Sequence, residues 1–207
     1  MFSGIVTHVG RITSSKPSGD GVRLRIAVPD FAMDEVRVGD SIAIQGVCHT
    51  VIARDADAFE VESSRATLDV TTGLAEGREV NLEKSLRLAD RIDGHLVSGH
   101  VDGVGRVAEL EELGGSVRLA IEAPAALARY IAKKGSVAVD GVSLTVNEVG
   151  GTRFEVNLIP HTRAVTTLRN LAPGSSVNLE IDMLARYVER MLAHAEVAKW
   201  RIAGDRS

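Results

Sequence analysis

Six histidines, at positions 8, 49, 95, 100, 161 and 194, and one cysteine, Cys48, are the residues from which this chain could build proton-transfer, nucleophilic or metal chemistry near neutral pH. His95 and His100 lie on a segment that reads as a loop running into a strand. Their separation of five is odd, and odd separations on a strand point to opposite faces, so they make a poor metal pair. No carboxylate or thiolate cluster joins them, and no metal site is expected. A single cysteine rules out an internal disulfide framework and a cysteine-rich zinc site. Neither G-x-G-x-x-G nor G-x-x-x-x-G-K-[ST] occurs, so no phosphate loop is expected, and G-x-S-x-G is also absent. Gly103 and Gly105 read as a turn or bulge. What remains is acid–base chemistry by imidazole, with a thiol or hydroxyl as nucleophile.

The chain is written twice. SIAIQGVCHTV at 41–51 reappears as SVAVDGVSLTV at 136–146, with six of the eleven positions identical. FSGIVTHVGRI at 2–12 returns as VSGHVDGVGRV at 97–107. Phe59-Glu60-Val61 returns as Phe154-Glu155-Val156, and Val80-Asn81-Leu82-Glu83 as Val177-Asn178-Leu179-Glu180. Two related halves can hold two related ligands. The differences between copies are then the informative positions: Ile5 becomes His100, Cys48 becomes Ser143, His49 becomes Leu144 and Gln45 becomes Asp140. Drift at the surface accounts for Gln45 and Asp140. It accounts less well for 48–50 and 143–145, which sit within the best-matched strands.

The elements that must position these residues are mostly β. Segments 22–28, 41–47, 58–62 and 79–83 are short and rich in Val and Ile, and the second half repeats them at 103–108, 116–122, 136–142, 153–158 and 177–181. Short strands at regular spacing favour small closed barrels, which leave no free sheet edge. Residues 84–96 link the copies. A short helix is expected at 124–133, opened by Pro124 at a first-turn position. Leu184, Tyr187, Val188, Met191, Leu192 and Ala195 recur at helical spacing, so 183–203 reads as an amphipathic helix capped by Asp182. Its stripe packs either on its own barrel or on another subunit.

Composition sets the outer limits. The chain has 207 residues, 44% hydrophobic and 25% charged, which is ordinary for a globular protein with two small domains. A net charge of −4 gives no electrostatic case for nucleic acid. No stretch approaches 18 apolar residues and no basic segment precedes an apolar run, so neither a membrane span nor secretion is expected, which leaves the cytoplasm. Aromatics are only 3%, so protein rings can do little to stack on a flat ligand.

MFSGIV at 1–6, GVCHTV at 46–51, DGHLVSGHVDG at 93–103, KGSVAVDGVSLTV at 134–146 and LIPHT at 158–162 together resemble riboflavin synthase of the alpha-chain type, across essentially the whole chain. The resemblance implies an all-β fold: a tandem pair of similar six-stranded Greek-key barrels, 1–95 and 96–182, plus a C-terminal α-helix at 183–207. It implies homotrimers formed through that helix, and no cofactor. It also implies a transferase reaction in which two molecules of 6,7-dimethyl-8-ribityllumazine exchange a four-carbon unit, giving riboflavin and 5-amino-6-ribitylaminouracil. The productive site would lie between the first barrel of one subunit and the second barrel of its neighbour. An association with lumazine synthase is left open.

Carried over by motif, the first barrel's ligand contacts would be Gly4, Ile5, Val6, Cys48, His49, Thr50 and residues 62–67, namely Glu62, Ser63, Ser64, Arg65, Ala66 and Thr67. The second barrel's would be Gly99, His100, Val101, Lys134, Ser143, Leu144, Thr145 and residues 157–162, namely Asn157, Leu158, Ile159, Pro160, His161 and Thr162. His100, Cys48, Ser143, Thr145 and Asp182 are the matching candidates for chemistry, with His100 or a bound water moving the proton. The nucleophile stays open among Cys48, Ser143 and water. Two departures from the family pattern stand out: His49 replaces a leucine, offering an extra donor, and Ala66 replaces a glutamate before Thr67. The competing reading is a non-catalytic, lumazine-holding relative. The intact SGH at 98–100 and SLT at 143–145 favour the enzyme.

Overall fold

In the computed structural model, which describes residues 1–204 and the side chains of 1–194, each copy of the repeat closes into a six-stranded antiparallel barrel. The first comprises β1 (His8–Ser18), β2 (Gly21–Ala27), β3 (Ser41–Ile44), β4 (Val47–Arg54), β5 (Ala58–Ser63) and β6 (Glu79–Lys84), ordered β1-β2-β5-β4-β3-β6. The second repeats this order with β7 (Gly103–Glu112), β8 (Val117–Glu122), β9 (Ser136–Val139), β10 (Val142–Gly150), β11 (Arg153–Leu158) and β12 (Ser176–Ile181). Inward positions of each barrel form its core, including Leu24, Ile26, Phe59, Val61 and Leu82 in the first and Leu119, Ile121, Phe154, Val156 and Leu179 in the second. The fold therefore follows the repeat.

Three local readings change. The runs 41–47 and 136–142 are each a strand and a turn. Gln45 and Asp140 adopt left-handed φ of 52° and 50° and begin two-residue hairpins that separate β3 from β4 and β9 from β10. The expected helix at 124–133 shrinks to α2 (Ala125–Ala128), with Pro124 at its N-cap rather than in its first turn. The chain must turn there to bring Lys134 N–H onto Val146 O, at 2.7 Å. Finally, Gln45 and Asp140 are buried between the barrels, so surface drift does not describe them.

That inter-barrel contact is built from matched polar pairs. Asn81 Nδ2 donates to Asp140 O and Asn178 Nδ2 to Gln45 O, both at 2.9 Å. Gln45 Oε1 accepts from Asn81 N, and Asp140 Oδ1 from Asn178 N. Thr167 N–H and Thr72 N–H close the set on the Asn81 and Asn178 side-chain oxygens, each at 2.7 Å. Buried polar groups satisfied in this way fix one arrangement of the two barrels.

The C-terminal helix α4 (Met183–Gly204) begins with Asp182 Oδ1 accepting from Leu184 N at 3.0 Å, as expected of a cap. Arg186 ties it to Asp102 at 2.8 Å, Glu189 ties it to Tyr130 and Arg129, and Ala185 packs on the second barrel. The apolar stripe itself is uncovered: Leu184, Tyr187, Val188, Met191 and Leu192 are all more than half exposed. Ala195, the last residue of the stripe, lies outside the described side chains.

Candidate functional site

Each barrel presents one outer surface built from equivalent parts. β4 alternates, so Cys48 and Thr50 face out while His49 faces in; β10 repeats the pattern with Ser143 and Thr145 out and Leu144 in. Beside them, β5 ends in Glu62 and Ser63 and runs into α1 (Arg65–Val70), where Ser64 Oγ caps Thr67 N at 3.3 Å. β11 ends in Asn157 and Leu158 and runs into α3 (Pro160–Val165), which has Ile159 at the cap position and no side-chain cap. Ala66 and His161 are the exposed, equivalent residues of these two short helices.

The segments that lead into the barrels complete these surfaces, with a crossing that sequence could not show. Glu83 accepts from Ser3 N, Ser3 Oγ and Gly4 N at 2.7, 2.9 and 3.0 Å. Glu180 accepts from Ser98 N and Gly99 N at 2.7 and 2.9 Å. The loops so anchored reach across to the other barrel. Gly4 O accepts from Ser143 N and Gly99 O from Cys48 N, both at 2.8 Å. A Cβ at Gly4 would fall 2.6 Å from the Ser143 Cβ, and one at Gly99 2.7 Å from that of Cys48, so only glycine fits. Val6 accordingly joins the core of the second barrel and Val101 packs on that of the first. Gly4, Ile5 and Val6, grouped by sequence with the first barrel, lie on the second barrel's side. Gly99, His100 and Val101 are exchanged in the same way. His100 thus neighbours Cys48, and Ile5 is its exposed counterpart beside Ser143.

The side chains of His49, Ser63, Leu144 and Leu158 are buried within the barrels and do not reach the outer surfaces. His49 therefore offers no extra donor to a ligand. Its Nδ1 lies 2.9 Å from Val47 O, its Nε2 has no partner, and burial pushes its pKa down to about 4. The sequence reading weighs His95 only as half of a poor metal pair and gives it no place in the site, yet its Nδ1 lies 2.6 Å from Ser143 Oγ. Burial lowers the pKa of His95, while the Asp182 and Glu180 carboxylates act in the opposite sense. The only sequence signal for it was its place in DGHLVSGH, next to the loop that carries His100.

Lys134 adopts a left-handed φ of 66°, and its repeat counterpart, with the same backbone bond across the barrel, is Gly39. A lysine there costs on the order of 1 kcal/mol, and such strain collects at functional positions. Lys134→Gly is expected to leave stability unchanged or raise it by up to about 1 kcal/mol, while turnover falls at least about 10-fold. Thermal melts and initial rates on one preparation check both halves. Equal losses in both would mean that Lys134 serves the fold alone.

Neither surface is an enclosed cavity. A cleft of about 840 Å³ opens between the barrels beside Gln45, Asp140, Arg11 and Arg78, and one of about 430 Å³ opens beside Ile5, Phe31 and Lys84. Cys48, Thr50, Ser143 and Thr145 line neither, and of residues 3–6 in the lead-in loop beside Ser143 only Ser3 and Ile5 reach the smaller one.

A model of the lumazine binding domain matches residues 3–85 and again 98–182. A riboflavin synthase of Brucella abortus is 46% identical over 198 residues, covering 92% of this chain and 98% of that protein. The chain belongs to the riboflavin synthase family, which is a family of transferases. A riboflavin synthase of Mycobacterium tuberculosis is 42% identical, covering 94% of this chain and the whole of that one. Among solved structures, LumP complexed with riboflavin superimposes with a TM-score of 0.80 at 26% identity, over 87% of this chain and 99% of its own. LumP complexed with 6,7-dimethyl-8-(1'-D-ribityl) lumazine does so with 0.78. Membership of the riboflavin synthase family fits a barrel that occurs twice with its outer residues altered.

Proposed function

We propose that this chain is a riboflavin synthase that converts two molecules of 6,7-dimethyl-8-ribityllumazine into riboflavin and 5-amino-6-ribitylaminouracil by moving a four-carbon unit from one to the other. The observation that carries this reading is the pair of matched surfaces with unmatched residues, Cys48 and Thr50 on one barrel and Ser143 and Thr145 on the other. Two copies of one substrate need two similar sites. Unlike fates, with one ring losing a proton and the other taking a nucleophile, need different side chains. The sites comprise Cys48, Thr50, Glu62, Ser64 and Thr67 with the 99–101 loop, and Ser143, Thr145, Lys134, Asn157 and Thr162 with the 4–6 loop. The Asp182 carboxylate acts electrostatically on His95, which in turn bonds Ser143. Holding two rings in register can supply effective molarities of roughly 10⁵ M or more.

Both surfaces are open, and the α4 stripe is uncovered. Both facts favour a homotrimer in which a neighbour closes each site. Deleting 183–207 is expected to convert trimers to monomers with both barrels folded. Light scattering paired with the far-UV spectrum checks this, and a trimer that persists would refute the subunit-contact role of the helix.

The likeness to LumP supports a second reading, a protein that holds lumazine without converting it. Incubating the purified chain with the lumazine alone separates the two. Riboflavin at half the lumazine consumed is the expected result. Tight binding with no riboflavin would establish the holder.

A further inference from the structure

Cys48 and Ser143 occupy equivalent positions on the two barrels, and both receive a glycine loop from the opposite half. Their surroundings nevertheless differ. Ser143 Oγ lies 2.6 Å from His95 Nδ1. The backbone N–H of His95 donates to Ser3 O at 3.1 Å, and Gly94 packs so closely that a Cβ there would meet Ser3 O and Ser143. The His95 backbone is thus held against a lead-in loop, and its ring reaches β10 through Ser143. Its Nε2 is buried with no partner, as is that of His49, but only the His95 ring bonds a side chain of an outer surface among the described residues. Among the described residues, no side chain bonds Cys48 in a corresponding way.

We infer that His95 is a positioning residue that sets the direction of the Ser143 hydroxyl, and so makes the second barrel chemically unlike the first. With Nδ1 unprotonated, His95 accepts the Ser143 hydroxyl hydrogen. The oxygen's lone pairs then face the ligand, ready to accept a hydrogen bond from it. With Nδ1 protonated, the imidazole donates to Ser143 Oγ and the hydroxyl hydrogen turns outward, reversing what the ligand meets. Burial favours the neutral ring, and the proposed role belongs to its Nε2–H tautomer, in which Nδ1 is the acceptor. The charged groups that act on it are Asp182, at the start of α4, and Glu180, on β12, and both favour the cation. The loop carrying Ser3 is held by the Glu83 carboxylate, a further acidic group on that side. The switch between the two orientations therefore belongs on the acid side of neutrality. This role rests on the function proposed above.

Two substitutions separate positioning from support of the fold. His95→Asn keeps an acceptor near Nδ1 but cannot titrate. It should retain turnover within a few-fold of the parent and lose the acid limb of kcat/KM. His95→Phe removes the acceptor. It should lower kcat on the order of 10- to 100-fold with KM nearly unchanged, and should cost nothing further when Ser143 is already alanine. A loss by His95→Phe that is equally large in the Ser143→Ala background would overturn the role, as would an acid limb that survives in His95→Asn. Binding of an unreactive lumazine analogue between pH 5 and 8 is the second measurement. Its pH dependence should vanish in His95→Asn, and persistence would also overturn the role. This titration needs no turnover. If the parent forms no riboflavin, the proposed activity fails while the positioning role is still judged by binding.

Discussion

His49→Leu should make the protein markedly more resistant to acid. In the folded chain, burial holds the His49 pKa at about 4, whereas the unfolded chain titrates near the ordinary 6.5. A depressed histidine pKa means that the folded state disfavours the cation. The stability it permits is fully present above pH 6.5 and is lost as pH falls from 6.5 through 4. The shift amounts to about 3 kcal/mol in full and about 2 kcal/mol by pH 5. Leucine suits the site, because Leu144 fills the equivalent position in the core of the second barrel. It also removes the unpartnered Nε2, worth on the order of 1 kcal/mol at neutral pH.

The parent protein's own pH profile would not reveal this effect. Asp140 is fully buried at the barrel interface, and its pKa is pushed up to about 7 against the pull of the Asn178 N–H and Gln45. A raised carboxyl pKa works in the opposite direction. The folded state gains stability as pH falls from 7 toward 3.8, in nearly the same window. The measurement is therefore a difference: urea midpoints of the parent and of His49→Leu, at one protein concentration, at pH 7.5 and pH 5. The gap should widen by about 2 kcal/mol at pH 5. Parallel profiles would mean that His49 is solvated or finds a partner for Nε2.

His49 also shows where sequence reading stops. The repeat revealed the two barrels, their strand content and the alternation of β4, and that alternation already sends 49 to the opposite face from 48 and 50. Taking 48–50 as one ligand-contacting block discarded the information. Gln45 and Asp140 looked like loose polar positions because a contact between barrels leaves no local periodicity. The exchange of Gly4–Val6 with Gly99–Val101 is of the same kind. A lead-in loop is bonded by Glu83 or Glu180 of its own barrel yet delivers its glycine to the other, and nothing within a short window encodes that. The Ser143–His95 pair spans 48 positions and needed the fold to bring it together. The α4 stripe from Leu184 to Leu192, by contrast, was legible because helical spacing is local, while its exposure was not.

The largest effect is expected from mixing two inactive proteins. One variant carries bulky replacements of Thr50 and Thr67, which spoil the outer surface of the first barrel. The other carries bulky replacements of Ser143 and Thr145, which spoil that of the second. If the chain forms the proposed homotrimer, each variant alone should be inactive, because on that reading every site needs one good surface of each kind. If neighbouring subunits form the site around a ring, a refolded mixed trimer contains one junction where a sound first barrel meets a sound second barrel. Activity should then rise from background to roughly the fraction of such junctions in a random mixture. The structure gives the physical motive. Within one chain the barrels are locked through the Gln45, Asn81, Asp140 and Asn178 bonds, and each surface stays open rather than facing a partner across a closed pocket. If a single chain instead formed the site, no mixed trimer would hold an intact one, and activity would stay at background. Mass spectrometry that confirms mixing while no riboflavin appears would therefore defeat the between-subunit site.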